Sequence, residues 1–129
     1  MKYAVIDVGS NTVRLCVYDV LCPEKRKFKT IMNRKIMAGL AAYIVDGAFS
    51  DEGIAEAILA VKKCIKRASY LSPDRIDVFA TAVLRNISNS AQAIAAIEQG
   101  AGCSISLLSN ADEAHLGFVG ASSRGTLDD

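Results

Sequence analysis

The chain has 129 residues, of which 51% are hydrophobic and 22% charged, enough for one folded domain with its own core and too apolar for a disordered chain. The formal net charge is +1, so nothing global draws the protein to nucleic acid or membrane. Any polyanion has to be met by a local basic site.

Lys2 to Asp7 is a short, nearly continuous apolar run that predicts a central strand buried on both faces. Thr12 to Val20 predicts a second strand, rich in branched residues. Cys22-Pro23-Glu24 is a turn, and Lys27 to Met37 predicts a third strand whose charges suit an edge. Gly39 to Phe49 reads either as a short helix or as extended chain broken at Gly47. Ser50-Asp51-Glu52-Gly53 opens a helix, with a serine cap and acidic residues at the positive end of the dipole. Ile54, Ile58, Val61, Ile65 and Ala68 form its expected buried stripe. Ser72-Pro73-Asp74 ends it, and Arg75 to Thr81 predicts a fourth strand.

Ala82 to Asn89 reads as a polar connection carrying Arg85. Ser90 to Gln99 predicts a second helix with Ala91, Ile94, Ala95 and Ile97 as its apolar side, stopped by Gly100-Ala101-Gly102. Cys103 to Leu108 predicts a fifth strand, and Ser109 caps a third helix running to about Gly120. The last residues read as a tail. Three strands joined by short turns should pair antiparallel. The two strands reached through helices should join in parallel, by right-handed crossovers. The expected architecture is therefore an α/β domain on a five-stranded mixed sheet, in the order β-β-β-α-β-α-β-α.

Cysteines stand at 16, 22, 64 and 103, with no redox or zinc spacing, and the single histidine is His115. Reduced, mostly buried thiols are expected. No apolar run is long enough to span a bilayer and no secretory signal is visible, so the expected location is cytoplasmic.

Chemistry concentrates at three predicted strand ends, where open α/β sheets bind ligands. The first is Asp7-Val8-Gly9-Ser10-Asn11-Thr12-Val13-Arg14. Gly9 lets the main chain approach a ligand, and successive turn amides can converge on an anion. Ser10, Asn11 and Thr12 add side-chain donors, and Arg14 offers a charge-assisted contact if strand alternation turns it the right way. Ordinary turn chemistry accounts for Gly-Ser-Asn equally well, but a carboxylate at a buried strand end calls for a partner or a metal. The second segment, Thr81 to Asn89, presents the Arg85 fork among hydroxyls and amides. In the third, Ser109 and Asp112 have capping-box spacing, which leaves Glu113 outside the cap. His115 carries no assigned role.

Together and in this order, the three segments resemble the exopolyphosphatase/guanosine pentaphosphate phosphatase (Ppx/GppA) family. Asp7 to Leu15 looks like its first phosphate motif, Phe79 to Asn89 like its Thr-Ser-Ala-x-Arg-x-Ala-x-Asn segment, and Ile105 to Gly120 like its Ile-Ser-Gly-x-Glu-Glu-Ala stretch. The resemblance implies a ribonuclease H-like lobe of the actin–hexokinase–Hsp70 superfamily. It implies that Glu113 is the catalytic base and that Asp7, Gly9, Ser10, Asn11, Arg14 and Arg85 bind phosphate. Asp7 would also help hold Mg2+. The implied substrates are polyphosphate or guanosine penta- and tetraphosphate. Asn110, Asp112 and the run Lys35-Ile36-Met37-Ala38-Gly39 depart from the family pattern.

The family continues into a second half opened by an Asp-Ile-Gly-Gly-Gly-Ser loop, which this sequence does not contain. The expectation is one lobe, 1–129, folded yet weak or inactive as a hydrolase by itself. The alternative is a non-catalytic module that binds polyphosphate or an alarmone nucleotide. An ATP-dependent kinase of the same superfamily fits the Asp112-Glu113-Ala114 element less well. An uncovered apolar face predicts self-association, with a dimer favoured.

Overall fold

The computed structural model describes residues 1–25 and 27–107. Strands β1 (Lys2–Val8), β2 (Val13–Cys22) and β3 (Lys27–Ile36) form an antiparallel meander. A single turn of 3-10 helix, Pro23–Lys25, joins the last two. The ambiguous segment resolves into both alternatives. Leu40–Tyr43 is a 3-10 turn, followed by a two-stranded hairpin of β4 (Ile44–Val45) and β5 (Ala48–Phe49). Asp46 and Gly47 both take positive φ, 53° and 80°, as an Asp-Gly hairpin turn requires.

Helix α1 (Asp51–Ser69) leads to β6 (Arg75–Ala80), then a short helix α2 (Ala82–Arg85), helix α3 (Ser90–Ala101) and β7 (Ile105–Leu107). The five-stranded sheet has the order β3-β2-β1-β6-β7. Strand β6 pairs parallel to β1, and β7 parallel to β6, as the helical crossovers predict. Strand β1 is therefore hydrogen-bonded along both edges. No helix among the described residues is long and apolar enough to cross a membrane.

The two sheet faces differ. Ala4, Ile6 and Val8 of β1 are fully buried, together with Val13, Leu15 and Val17 of β2. Tyr3, Val5 and Asp7, on the other face of β1, are only half-buried, so the strand is not closed on both sides as its apolar run suggested. Helix α1 packs on the first face, and α3 packs against α1 with Ala93 and Ile97 in the same core.

Helix α1 starts where the sequence placed it: Gly53 N–H donates to Ser50 Oγ at 3.1 Å. Its buried stripe is shifted from the expected one. Gly53, Ala57, Ala60, Val61, Cys64 and Ala68 face inward, while Ile54, Ile58 and Ile65 flank the contact half-buried. Small side chains let the helix lie close to the sheet, and the branched ones fill the wedge to either side. In α3 the buried residues are Ala93 and Ile97, with Ile94 beside them, whereas Ala91 and Ala95 are exposed. That helix runs on to Ala101 because Gly100 sits against Ile58 of α1, where a Cβ would lie 2.5 Å from Ile58 Cδ1. Gly102 closes it at φ 72°, its N–H donating to Glu98 O at 2.9 Å. Glu98 Oε2 then accepts from Ile105 N–H at 2.7 Å and ties β7 to the helix.

At the start of β1, Tyr3 O–H donates to Asp77, whose carboxylate also pairs with Arg75 Nε at 2.9 Å. Burial and that acceptor push the Tyr3 hydroxyl well above its ordinary range.

Two predictions follow from this packing. An added Cβ at Gly53 would lie 2.5 Å from both Tyr43 Cβ and Phe49 Cε1. The Tyr43 atom is next to the backbone and cannot swing away, so Gly53→Ala is expected to lose about 1–2 kcal/mol despite its better helix propensity. Urea denaturation checks this. Burial also pushes the Cys64 thiol from 9.0 up to about 11. The unfolded chain then ionises first, so this contribution is complete below pH 9 and is lost as pH rises through 11. Stability should decline less steeply across that window in Cys64→Ser than in the parent, measured by denaturation at a series of pH values.

Candidate phosphate-binding site

The loop between β1 and β2 is closed by Gly9 N–H donating to Thr12 O at 3.0 Å. A Cβ at Gly9 would stand 3.1 Å from that same carbonyl oxygen, so the tight closure favours glycine. Ser10 and Asn11 are exposed at the tip. Their carbonyls are engaged from outside: Ala41 N–H donates to Ser10 O at 2.8 Å and Gly39 N–H to Asn11 O at 2.9 Å. In a planar trans peptide the following N–H points opposite to the carbonyl. The amides of Asn11 and Thr12 are thereby turned away from the 39–41 segment. Leu40, fully buried, anchors that segment to the core, and Gly39 enters it at φ 60°.

Strand register settles the direction of Arg14. Asp7 is paired directly with Arg14, Arg14 with Lys35, and on its other side Asp7 with Phe79. Directly paired residues project to the same face. One row therefore crosses the sheet at the loop end: Phe79, Asp7, Arg14, Lys35. Asp7 Oδ1 is buried and accepts no hydrogen bond, although the residue is engaged through another interaction.

The second segment meets the first at Val8. Thr81 N–H and Thr81 Oγ1–H both donate to Val8 O, at 3.3 and 3.4 Å. The expected polar connection after Thr81 is in part a helical turn, because Val83 and Leu84 are buried and pull the chain inward. Arg85 closes that turn, half-buried and with interactions of its own. Asn89, read from sequence as one of the polar groups near the ligand, is instead structural. Its Oδ1 accepts from Phe49 N–H at 2.9 Å and its Nδ2–H donates to Phe49 O at 3.0 Å.

Asp7, Gly9, Ser10, Asn11 and Arg14 thus gather at one end of the sheet, with Thr81 and Arg85 joined to them through Val8. Glu113, the Ser109/Asp112 cap, His115, the third helix and the tail lie outside the described residues. The sequence reading missed Phe79 as the neighbour of Asp7 and Lys35 as the neighbour of Arg14, since both follow only from register. It also missed the strap at Gly39–Ala41, although the glycine was a usable signal.

Among the described residues no group of three or more His, Cys, Asp or Glu side chains could hold a metal by itself. Magnesium is usually held by one or two carboxylates together with phosphate oxygens and water. Asp7, at the strand end beside the loop, is a carboxylate of that kind.

Replacing Asn89 by Ala removes both hydrogen bonds to Phe49 and leaves a half-buried amide and carbonyl unsatisfied. The expected loss is about 2 kcal/mol. Thermal denaturation checks it; a stability equal to the parent's would remove Asn89 from its bracing role.

The profile of the Ppx/GppA phosphatase family matches residues 21–127. The fold is similar to that of an exopolyphosphatase from Cytophaga hutchinsonii, with a TM-score of 0.79 and 25% identity over 90% of this chain and 36% of that one. It is also similar to the Aquifex aeolicus Ppx/GppA phosphatase, with a TM-score of 0.76 and 22% identity over 85% of this chain and 36% of that one. The chain thus spans 36% of the length of these two structures. The sheet order and these likenesses identify the fold as ribonuclease H-like, of the actin–hexokinase–Hsp70 type. With the family profile matched over most of its length, the chain belongs to the Ppx/GppA phosphatase family.

Proposed function

We propose that this lobe binds the terminal phosphates of inorganic polyphosphate or of guanosine pentaphosphate and takes part in releasing the last one as orthophosphate. The observation that carries the proposal is the shared sheet face of Asp7 and Arg14 beside the Gly9–Asn11 loop.

Phosphoryl transfer needs positioning and charge neutralisation more than covalent help. The loop amides of Asn11 and Thr12, with the Ser10 and Asn11 side chains, orient the terminal phosphate. Arg14 and Arg85 meet its charge. Glu113, matched by resemblance to the family's base, takes a proton from the attacking water as the water oxygen bonds to the terminal phosphorus. The bond from that phosphorus to its bridging oxygen breaks, and the electron pair leaves on the shortened chain. A magnesium ion, held with the help of Asp7, would add charge neutralisation at the phosphate oxygens. A glutamate suits the role of base when burial raises its pKa toward working pH.

Binding is the direct readout for a chain of this length. Isothermal titration with long-chain polyphosphate and, separately, guanosine pentaphosphate, in the presence of magnesium, tests the reading. Arg14→Ala is expected to weaken binding about tenfold, the effect of losing one charge-assisted contact. Glu113→Gln should bind within about twofold of the parent, since a base acts on water rather than holding the phosphate. No binding of either ligand, or equal binding by the parent and Arg14→Ala, would overturn the proposal.

A further inference from the structure

Lys35 entered the sequence reading only as the start of a run that departs from the family pattern, yet the sheet places it next to Arg14. The two residues are direct partners across β2 and β3, which puts their Cα atoms about 4.5–5.5 Å apart with side chains on one face. Like charges in that relation repel. The carboxylate in the row is Asp7, two strand spacings from Lys35, roughly 9.6 Å, with Arg14 between them. Lys35 is exposed, and among the described residues it forms no salt bridge. Strand β3 is the sheet edge, so no further strand supplies a counter-charge beyond it.

The backbone around Lys35 is nevertheless fixed. Ile36 packs on the core, Ala38 N–H donates to Ile36 O at 3.0 Å, and Gly39 N–H reaches the loop at Asn11 O. The Lys35 backbone is thereby fixed beside the loop, at one remove from Arg14, within reach of which its exposed ammonium extends. The neighbouring Arg34 does not share this position. It pairs with Leu15, whose side chain lies on the core face. Further along the site face the next β3 residue is Asn33, opposite Cys16 and about 6.8 Å farther from the loop. Positive charge on this face of β3 therefore ends at Lys35.

We propose that Lys35 is a second phosphate-binding cation, which holds the phosphate behind the terminal one and so selects linear condensed phosphates over orthophosphate. The inference rests on the reading of the loop as a phosphate site. Because the charge stops after one residue, most of the gain is reached with a short chain, and tripolyphosphate captures it.

The test is titration of the whole 129-residue chain with sodium tripolyphosphate and with orthophosphate, at two salt concentrations. Lys35→Gln should weaken tripolyphosphate about tenfold and flatten its salt dependence, while orthophosphate affinity stays within about twofold. Lys35→Arg should restore tripolyphosphate binding, which a general loss of structure would not allow. If Lys35→Gln binds tripolyphosphate as the parent does while Arg14→Ala does not, the Lys35 assignment is wrong and the loop assignment stands. If the parent binds neither anion, both fall together.

Discussion

Strand β1 hydrogen-bonds along both edges, antiparallel to β2 and parallel to β6, and among the described residues the placement of the candidate ligand groups depends on that double pairing. The antiparallel side brings the chain straight back through the Gly9 turn and sets Arg14 opposite Asp7. The parallel side ends β6 beside Val8, so that Thr81 closes on the Val8 carbonyl and Arg85 follows one helical turn later. A slip of one residue in β2 would move Arg14 to the core face and a core residue to the site face. The fully buried Val13, Leu15 and Val17 oppose such a slip, because burying a charged side chain in their place is far more costly than any gain at the loop.

The core and the site are therefore two sides of one arrangement. Small residues on the inner stripe of α1 draw the helix onto the face of Ala4, Ile6 and Val8. The rigid strands then hold Arg14 and Lys35 side by side on the other face, against their mutual repulsion. A polyanion bound there, as proposed, would relieve that repulsion, which is the electrostatic sense of a site prepared before its ligand arrives. The strap at Gly39–Ala41 adds a second constraint by engaging the carbonyls of Ser10 and Asn11, so the loop amides keep one orientation.

Most of the elements were legible because their signals are local. The Ser50 cap, the glycines after α3 and the branched run of β2 each name an element directly. The parallel joining of β6 and β7 also followed, from helices too long to be hairpin turns. What was not legible depends on partners distant in sequence. Alternation divides β2 into two faces but cannot say that Arg14 meets Lys35 twenty-one residues on. The stripe of α1 was misplaced because bulk was taken as the mark of burial, whereas close helix–sheet contact selects Gly53, Ala57 and Ala60. Asn89 looked like a ligand group and proves to brace Phe49, since nothing local distinguishes an amide that binds backbone from one that binds substrate. The Asp46-Gly47 turn was readable from its two residues and was overlooked. For the candidate site, Asp7, Gly9, Ser10, Asn11 and Arg14 were named from the sequence, and the structure brings them to one end of the sheet. Lys35 needed the register.

The central claim is that anions bind at the loop end of the sheet, on the face shared by Asp7, Arg14 and Lys35. The most direct measurement is a titration of the isotope-labelled chain with tripolyphosphate, followed residue by residue through backbone amide chemical shifts. The account predicts the largest changes at Asn11 and Thr12, with smaller ones at Arg14, Lys35 and Arg85, saturating together. Changes centred instead at the opposite end of β1, around Tyr3 and Arg75, or spread evenly over the exposed lysines, would contradict it.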